Sequence, residues 1–462
     1  MAFKEKVLED LRSFLPDEAL LLNEEATSRQ AGGLHTEEPV NAKLIVRPKS
    51  TEEVSKVLSI CNKEKQSVVV HGGLTGLVYG TRTLPDQLIL SLERMNEINE
   101  VDVVGRTMTC QSGATLQNIQ EKAEEQGMIF PLDLGARGSC SIGGNISTNA
   151  GGNRVIRFGM TRDSVLGIEA VTPDGTILSS MNRMIKNNAG YDLKQMFIGT
   201  EGTLGVVTKC VLRLREAPKS QNTALVGMED FASILKFLKH IDSGLGGNMS
   251  AFEVMWKSFY DMVTNTLQEN SLPLKPTMPY YVLVESMGSD QAKDEEHFEV
   301  LLSEALDKSL ISEAVLAKSE KERKGLWALR DDVGKQAQFG PTLMFDVSLP
   351  ISHMEEYVLK VRKNLNQHWD QSHFIVWGHL ADGNLHLVVG VGDLKSETVR
   401  KIEESVYGPL ELIGGSVSAE HGIGLEKKPY LHLSRTNEEI DFMKALKQTF
   451  DPNGILNPGL IF

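Results

Sequence analysis

The sequence predicts an α+β fold built from two or three domains, and three observations carry this prediction. The chain has 462 residues, which exceeds what one ordinary hydrophobic core serves. Short strands alternate with helices through the first half, and glycine-rich loops follow the strand ends. Beyond about residue 216 the glycine-rich texture stops, and amphipathic helices and a β-hairpin follow. A change of domain is therefore predicted near residue 216.

The first strand-helix-strand unit ends in a glycine loop. Residues 44–48 predict a strand, the capping box at 50–53 opens a helix, and the strand at 68–70 leads directly into the loop 71–76. Because glycine tolerates positive φ, successive N–H groups of such a loop converge on an anion such as a pyrophosphate. The spacing is neither GxGxxG nor GxxxxGK[ST], so the Rossmann and P-loop motifs are excluded. A plain tight turn is the alternative.

A second α+β unit follows, with a strand at 107–110 and a helix at 116–123. The richest glycine segment spans 131–152 and resumes at 186–192 and 199–205. Polar side chains between these glycines offer hydrogen bonds: Ser139, Ser147, Thr148 and Asn149. So many glycines imply backbone packed closely against a large nucleotide cofactor with an aromatic ring. The alternative is a long surface loop, which is uncommon in compact domains.

The second half contains a predicted strand at 280–284, and a second capping box at 352–355 predicts another helix start. Apolar runs at 374–377 and 387–389 then predict a hairpin, with Asp382-Gly383 as a two-residue type I′ turn.

Counting outward from that turn pairs His379 with His386 on one face, with Cβ atoms roughly 5 Å apart. Two imidazoles at this separation chelate a divalent metal, and Glu420 is the obvious third donor. Glycines at 414–415, 422 and 424 allow the bend that Glu420 and His421 need to reach one site. An ordinary cross-strand histidine pair is the alternative.

The composition restricts the partners. The 62 acidic against 48 basic side chains give a net charge of -14, which argues against a nucleic-acid or anionic-membrane partner. The cysteines are scattered without CxxC spacing, which suggests neither a disulfide framework nor a zinc ribbon and favours a reducing compartment: Cys61, Cys110, Cys140 and Cys210. Residues 1–20 lack an apolar or Arg/Ser-rich targeting pattern, and no stretch is long and apolar enough to span a bilayer. A cytoplasmic location is expected.

The motifs together resemble the flavoproteins of the vanillyl-alcohol-oxidase type, specifically the D-2-hydroxyacid dehydrogenases acting on D-lactate, glycolate or D-2-hydroxyglutarate. The resemblance covers nearly the whole chain and rests on these segments: 71–76, 131–139, 149–152, 199–205, 378–386, 418–422 and 457–459.

The resemblance implies a PCMH-type FAD-binding domain with two subdomains and an α/β cap domain with an antiparallel sheet over the flavin. The expected division is an N-terminal helical lead at 1–40, subdomains at about 41–100 and 101–216, a substrate domain at 217–415, and a C-terminal segment at 416–462 that returns to the flavin. Non-covalent FAD is expected, because no histidine follows the glycines of the first loop.

The resemblance also implies which residues contact FAD. They are His71, Gly72, Gly73, Leu74, Thr75, Gly76, Pro131, Asp133, Leu134, Gly135, Gly138, Ser139, Gly143, Gly144, Asn145, Thr148, Asn149, Gly151, Glu201, Gly202, Gly205, Val206 and Asn457.

The same resemblance implies His379, His386 and Glu420 as Zn²⁺ or Mn²⁺ ligands, and His421 as base. It further implies that Asn384 and His421 contact the substrate and that Arg330 pairs with its carboxylate; a surface position is the alternative for Arg330. The hypothesis is that the metal acidifies the 2-hydroxyl, His421 removes its proton, and the C2 hydrogen leaves as hydride to flavin N5.

The chain departs from the 2-hydroxyglutarate branch at two positions. Met344 stands where that branch has a lysine, and Gly334 stands where it has a threonine. A second carboxylate would then be desolvated without a partner, which favours a monocarboxylic or bulkier apolar D-2-hydroxyacid.

Several alternatives stay open from the sequence. They are a D-2-hydroxyglutarate dehydrogenase, a mononuclear metal hydrolase, a non-catalytic nucleotide-binding module and an oxidase. An electron-transfer flavoprotein, a quinone or a cytochrome is the expected acceptor, and a homodimer is compatible with the resemblance.

Overall fold

The computed structural model describes residues 5–33, 38–268 and 271–462, so parts of the predicted lead, 1–4 and 34–37, lie outside the described residues. The chain forms two compact units. The first contains the chain up to Gly152, Gly159–Ala217 and Glu420–Phe462; the second contains Asn153–Phe158 and Pro218–Ala419. The chain thus changes units after Ala217 and again after Ala419, and the short insertion of 153–158 into the second unit was not predicted.

The first unit begins with a mixed sheet. Its strands lie in the order β1 (Leu20–Leu22), β2 (Leu44–Val46), β4 (Leu88–Ser91) and β3 (Val68–His71). β1 is antiparallel to β2, whereas β2, β4 and β3 run parallel. The helices of this part are α1 (Glu5–Arg12), α2 (Glu24–Thr27) and α3 (Thr51–Glu64). The predicted helical lead therefore also contributes a strand, β1.

Helix α3 begins where the sequence predicts. The hydroxyl of Ser50 accepts a hydrogen bond from the backbone N–H of Glu53 at 3.2 Å, which satisfies one unpaired donor of the first turn. Its apolar stripe, which includes Val54, Val57 and Leu58, is fully buried against the first sheet.

The second sheet of this unit is antiparallel. Its strands lie in the order β5 (Ile98–Asp102), β6 (Thr107–Gln111), β10 (Val206–Arg213), β8 (Val165–Val171) and β9 (Ile177–Ser180). A two-stranded ribbon joins β7 (Met128–Ile129) to β11 (Arg215–Glu216). Helices α4 (Leu116–Glu124) and α5 (Ile142–Thr148) complete this part, and the core includes residues of both helices, such as Ile119 and Ile146.

The C-terminal segment returns to the first sheet. After helix α13 (Asn437–Phe450), Leu456 forms a parallel bridge with Val68 at the start of β3. The side chain of Asn457 accepts from the N–H of Val70 at 2.8 Å and donates to the carbonyl of Glu201 at 2.7 Å. This segment therefore fixes the strand that precedes the first glycine loop.

The second unit is built on a seven-stranded antiparallel sheet. Its order is β15 (Glu313–Leu316), β12 (Ser220–Met228), β14 (Tyr280–Gly288), β13 (Met249–Trp256), β17 (His373–His379), β18 (Asn384–Gly390) and β16 (Leu343–Ser348). Its helices are α6 (Val155–Phe158), α7 (Phe231–Leu245), α8 (Lys257–Thr264), α9 (Gln291–Asp307), α10 (Glu320–Asp331), α11 (Met354–Asn366) and α12 (Ser396–Glu411).

The predicted type I′ hairpin is wrong in its register. Residues Leu380–Asp382 form a 3₁₀ turn closed by left-handed Gly383, so the connection is longer than two residues. Trp377, and not His379, lies directly opposite His386. The pairing is shifted by two residues; a shift of one residue would have turned the histidines to opposite faces, whereas a shift of two keeps them on the same face.

The predicted capping box at 352–355 is also wrong. Residues Ile351–His353 form a 3₁₀ turn, and α11 starts at Met354 without a side-chain cap. The carboxylate of Glu355 instead accepts a hydrogen bond from the hydroxyl of Tyr280 at 3.0 Å. A tertiary contact with Tyr280 thus uses the Glu355 carboxylate that the predicted capping box would have used.

Candidate active site

The second unit brings both predicted metal-binding histidines together on one face of its sheet. His379 ends β17 and lies diagonally from His386 on β18, with ring centroids 5.4 Å apart in an edge-to-face arrangement. Ligand nitrogens of the two rings lie within 4.8 Å of each other. Both residues are buried, which removes competing water from the pair. The two imidazoles therefore lie close enough together to bind one metal ion, despite the shifted register.

Glu253 holds His379 from the neighbouring strand. β13 places Glu253 directly opposite His379, and Nδ1 of His379 lies 2.8 Å from Oε1 of Glu253. Nε2 of the same ring lies 3.3 Å from Nη2 of Arg330. Because a guanidinium only donates, Nε2 is the accepting nitrogen and the proton of the ring lies on Nδ1. The lone pair of the ring is therefore on Nε2, the nitrogen that faces Arg330.

Arg330 is buried in α10, and its Nε donates to Oε2 of Glu253 at 2.7 Å. Burial alone would raise the pKa of Glu253, but His379 and Arg330 outweigh it and hold this pKa below its ordinary value. The surface alternative for Arg330 does not hold, because the residue is only 5% exposed. Its guanidinium lies beside the histidine pair, where it is able to bind an anion that also reaches a metal.

Asp346 is a second buried carboxylate of this site. It lies opposite His386 across the β16–β18 pair, with Oδ1 4.0 Å from Nδ1 of that histidine. Oδ1 also accepts from the amide of Asn384 at 2.8 Å, and Oδ2 accepts from the N–H of Ala419 at 3.1 Å. Asp346 therefore ties the hairpin to the segment that leads into Glu420.

The amide of Asn384 is fixed in one orientation. Its Nδ2 donates to Asp346 and to the carbonyl of Val347, whereas its buried Oδ1 has no hydrogen-bond partner among the described residues. A buried acceptor without a donor is costly in a folded chain. This oxygen is suited to accept from a ligand hydroxyl, and the contact of Asn384 with substrate stays a prediction.

In the first unit the two glycine-rich segments pack on each other. A Cβ at Gly73 would lie 2.3 Å from the carbonyl oxygen of Ser139, and one at Gly72 would lie 2.6 Å from the hydroxyl of Ser141. A Cβ at Gly152 would lie 2.0 Å from the carbonyl oxygen of Asp133. The glycines are thus required for backbone approach between the loop after β3 and the segment 131–152.

Polar groups without partners accompany this packing. The hydroxyl of Ser112 and Oδ1 of Asn145 are buried and have no hydrogen-bond partner in the part of the chain that the structure describes. Asn145 was predicted to contact the cofactor, whereas Ser112 was not. Unsatisfied buried groups beside two glycine loops fit a large polar ligand such as a dinucleotide.

Other predicted cofactor residues have structural contacts that the sequence did not reveal. The carboxylate of Glu201 accepts from the N–H groups of Ile423 and Gly424 at 2.7 and 2.8 Å. Burial raises the pKa of Glu201, which these two donors partly offset. A Cβ at Gly202 would lie 2.8 Å from Nδ2 of Asn457.

His71 and the residues around Gly205 are likewise engaged within the first unit. His71 is buried, with Nε2 2.9 Å from the carbonyl oxygen of Thr81. A Cβ at Gly205 would lie 2.6 Å from the ring of Phe197, and Val206 belongs to the core. Thr148 donates its hydroxyl to the carbonyl of Gly144 within α5. The contacts of these residues with FAD stay predictions.

The remaining predicted FAD residues lie in the same two segments. Pro131 is buried, Leu134 packs against the core of the second sheet, and Gly135, Gly138 and Ser139 are exposed. In the first loop Leu74 has positive φ, and its carbonyl accepts from the N–H of Gly33 at 2.8 Å.

Glu420 and His421 belong to the first unit. Glu420 is the next residue after Ala419, whose N–H is held by Asp346. A Cβ at Gly151 would lie 2.8 Å from Oε1 of Glu420, so this glycine leaves room for the carboxylate. Gly422 has positive φ, and Gly424 does as well, which provides the predicted bend.

Comparison with known proteins places these features in a family. Residues 42–180 match an FAD binding domain, and residues 217–461 match the C-terminal domain of FAD linked oxidases. A probable mitochondrial D-2-hydroxyglutarate dehydrogenase of Oryza sativa subsp. japonica is 39% identical over 90% of this chain and 75% of its own length. A putative mitochondrial D-lactate dehydrogenase of Schizosaccharomyces pombe is 40% identical over 90% of this chain and 81% of its own length.

Among solved structures, p-cresol methylhydroxylase has a TM-score of 0.76 at 15% identity, over 98% of this chain and 96% of that one. The predicted PCMH-type fold is thereby confirmed. A glycine-lined FAD-binding domain followed by a sheet domain of this type defines an FAD-linked oxidoreductase. The chain belongs to the FAD-linked oxidases, in the group that contains the D-2-hydroxyglutarate and D-lactate dehydrogenases, as predicted.

The prediction of a cytoplasmic location is wrong by this comparison, since both relatives carry a mitochondrial name. The four cysteines are free and buried, and this feature, like the acidic charge, does not distinguish one reducing compartment from another. Among the described residues, no helix combines the length and apolar character that a membrane span requires.

Proposed function

We propose that the chain oxidises a D-2-hydroxyacid to the corresponding 2-oxoacid with bound FAD and a divalent metal, preferring a monocarboxylic or apolar substrate. The observation that carries this proposal is the buried face on which His379, His386, Arg330 and the free acceptor of Asn384 lie together. This set matches the groups of a 2-hydroxyacid, a carboxylate beside a hydroxyl.

The metal would be held by His379, His386 and Glu420. The histidine pair supports this assignment through its nitrogen separation and through the fixed tautomer of His379. When bound, Zn²⁺ or Mn²⁺ lowers the pKa of a hydroxyl that coordinates it. Glu420 would supply the carboxylate ligand, since it follows directly on the anchored Ala419.

The remaining residues would bind substrate and move its proton. Arg330 pairs with the substrate carboxylate, Asn384 contacts the substrate, and His421 takes the proton of the 2-hydroxyl as general base. The C2 hydrogen leaves with its electron pair, and FAD supplies the acceptor for this hydride.

The preference for an apolar substrate rests on Met344. In the β16–β18 pair, Met344 lies opposite Val388, two residues from Asp346 and on the same face as His386. Its side chain packs against an apolar cluster that contains Trp377 and Val388. A methyl thioether at this point offers no counter-charge to a second carboxylate, so a dicarboxylate would lose hydration without compensation.

Oxidation of D-2-hydroxyglutarate is the second candidate, and the rice relative's name favours it. Electrons would pass to an acceptor other than NAD. The candidate acceptors are an electron-transfer flavoprotein, a quinone and a cytochrome.

The proposal also includes a homodimer, which analytical sedimentation tests.

The deciding experiment is a panel of D- and L-2-hydroxyacids assayed with an artificial dye acceptor, before and after treatment with a chelator. We expect turnover of D-lactate or a longer apolar D-acid above that of D-2-hydroxyglutarate, loss with chelator and recovery with Zn²⁺ or Mn²⁺. Turnover that survives complete metal removal would contradict the metal assignment. A preference for D-2-hydroxyglutarate would replace the first substrate class with the second.

A further inference from the structure

One carboxylate in the second unit contacts two functional groups at once. Oε1 of Glu253 receives the Nδ1 proton of His379 at 2.8 Å, and Oε2 receives the Nε proton of Arg330 at 2.7 Å. Glu253 is itself 1% exposed and lies on β13, next to the strand of His379, and its side chain also contacts Arg330 of α10. No sequence motif marks this residue.

We propose that Glu253 is a positioning residue that couples metal affinity to recognition of the substrate carboxylate. This inference rests on the proposed function, because it takes His379 as a metal ligand and Arg330 as the carboxylate-binding group. Glu253 touches neither substrate nor metal and acts through these two side chains.

Its effect on His379 is to fix the ring. A carboxylate that accepts from Nδ1–H selects the tautomer whose lone pair is on Nε2, and it orients the ring and raises its basicity. Loss of such an outer partner typically weakens metal binding by about 10- to 100-fold.

The effect of Glu253 on Arg330 is to fix the orientation of the guanidinium group. With Nε bound to Glu253, the guanidinium presents its terminal nitrogens in one plane, which suits a bidentate carboxylate. The negative charge of Glu253 also offsets the guanidinium, which otherwise would repel a divalent cation on the adjacent histidine.

Substitution by glutamine affects the two contacts differently. The amide of a Glu253→Gln variant has one oxygen, so it satisfies either His379 Nδ1–H or Arg330 Nε–H and turns its NH₂ donors toward the other. In one orientation Arg330 Nε–H faces a donor, and in the other His379 is shifted to the tautomer that carries its proton on Nε2. Glu253→Asp keeps both oxygens but is shorter by one methylene, so its carboxylate is drawn back from His379 and Arg330.

The chain offers a matched control in Glu285 on the adjacent strand β14. Glu285 is as buried as Glu253 and accepts hydrogen bonds from five side chains, but from neither His379 nor Arg330: Arg154, Gln221, Thr223, Ser250 and Trp327. Glu285→Gln therefore reports the general cost of removing a buried carboxylate from this sheet.

The experiment uses the FAD-loaded protein and its Glu253→Gln, Glu253→Asp and Glu285→Gln variants. Zn²⁺ affinity is measured by competition with a chromogenic chelator, and pyruvate affinity is measured from the change in flavin absorbance with and without Zn²⁺. For Glu253→Gln we expect about 10- to 100-fold weaker Zn²⁺ binding, and an enhancement of pyruvate binding by Zn²⁺ that is smaller than in the parent. Glu285→Gln should keep both values near those of the parent.

Glu253→Asp provides the same test if the glutamine variant does not fold. Parent-like Zn²⁺ affinity and parent-like enhancement in either folded Glu253 variant would overturn the proposal. Equal losses in Glu285→Gln would also overturn it, because they would show a general structural effect. If the parent protein itself does not bind Zn²⁺, both the proposed function and this inference are overturned. If the parent binds Zn²⁺ and the Glu253 variants behave like it, only the inference about Glu253 is overturned.

Discussion

Asn384 donates its amide proton to Asp346 across the edge strand pair of the second unit, with Nδ2 2.8 Å from Oδ1. The same carboxylate holds the N–H of Ala419 and the hydroxyl of Ser418, at 3.1 and 3.3 Å. Asp346 thereby connects the amide that faces substrate in our proposal to the chain that continues into Glu420.

The first prediction is that Asp346→Asn destabilises the protein. An asparagine has one acceptor oxygen for three donors, so at least one buried donor is left facing an NH₂ group. We expect the free energy of unfolding to fall by about 2 to 4 kcal/mol. Denaturant titration of the FAD-loaded protein measures it.

Asp261→Asn is the control, because Asp261 pairs with Lys257 on the surface of α8. A change of well under 1 kcal/mol is expected there. A similarly small change for Asp346→Asn would show that its three contacts contribute nothing net to stability.

The parts of the site that the sequence predicted are those with a local signal. Glycine loops at strand ends, and two histidines around a turn, report backbone conformation and side-chain face within a few residues. The prediction that both histidines lie on one face was therefore right. The predicted turn type was wrong, because Gly383 closes a 3₁₀ turn instead of a two-residue hairpin turn.

The residues that the sequence missed have partners far away in the chain. Glu253 lies 126 residues from His379, and it reads as an ordinary polar position in an apolar strand. A single carboxylate inside a strand whose other residues are apolar except Ser250 is the signal that was present, since a buried charge requires a partner. Which partner it has depends on strand order in the seven-stranded sheet, and no local pattern determines that order.

The second prediction concerns Arg330→Lys. A lysine supplies one point charge where Arg330 supplies a fork that bonds Glu253 and still has nitrogens for a carboxylate. We expect kcat/KM for the preferred D-2-hydroxyacid to fall about 100-fold, chiefly through KM. Steady-state assays with a dye acceptor measure it.

Arg323→Lys is the matched control for Arg330→Lys. Arg323 lies two turns earlier on α10 and donates a hydrogen bond to the side chain of Gln221, away from His379 and His386. Parent-like kcat and KM in Arg330→Lys would reject the carboxylate-binding role.

The third prediction concerns His421→Asn, which removes the proposed base. Flavin reduction by substrate in stopped flow should slow by about 10²- to 10⁴-fold, while FAD content and Zn²⁺ affinity stay within a few-fold of the parent. His432→Asn is the control, because His432 is an exposed histidine in the same unit. Unchanged flavin reduction in His421→Asn would assign the base to another group.

The fourth prediction concerns Met344→Lys. A cation on the face of His386 would pair with a second carboxylate, so the ratio of kcat/KM for D-2-hydroxyglutarate over D-lactate should rise at least about tenfold. Met344→Gln tests polarity without charge and should leave the ratio near that of the parent. If the lysine variant leaves the ratio unchanged, Met344 does not determine the choice of substrate.

The fifth prediction is a pH dependence of stability that comes from His71. Burial lowers the pKa of His71 from 6.5 to about 4, and the contact with the carbonyl of Thr81 opposes this shift only partly. Between these pH values the unfolded chain binds a proton that the folded chain does not, so the stability contributed above pH 6.5 is lost progressively as the pH falls toward 4.

Lowering the pH from 7 to 5 should therefore cost about 2 kcal/mol through this one residue. His71→Gln keeps a side-chain N–H for the carbonyl of Thr81 but has no titrating group, so the loss between pH 7 and 5 should be smaller by about that amount. Urea unfolding of the FAD-loaded parent and variant at both pH values measures the difference. An identical pH dependence in the two proteins would mean that His71 is already protonated in the folded state at pH 5.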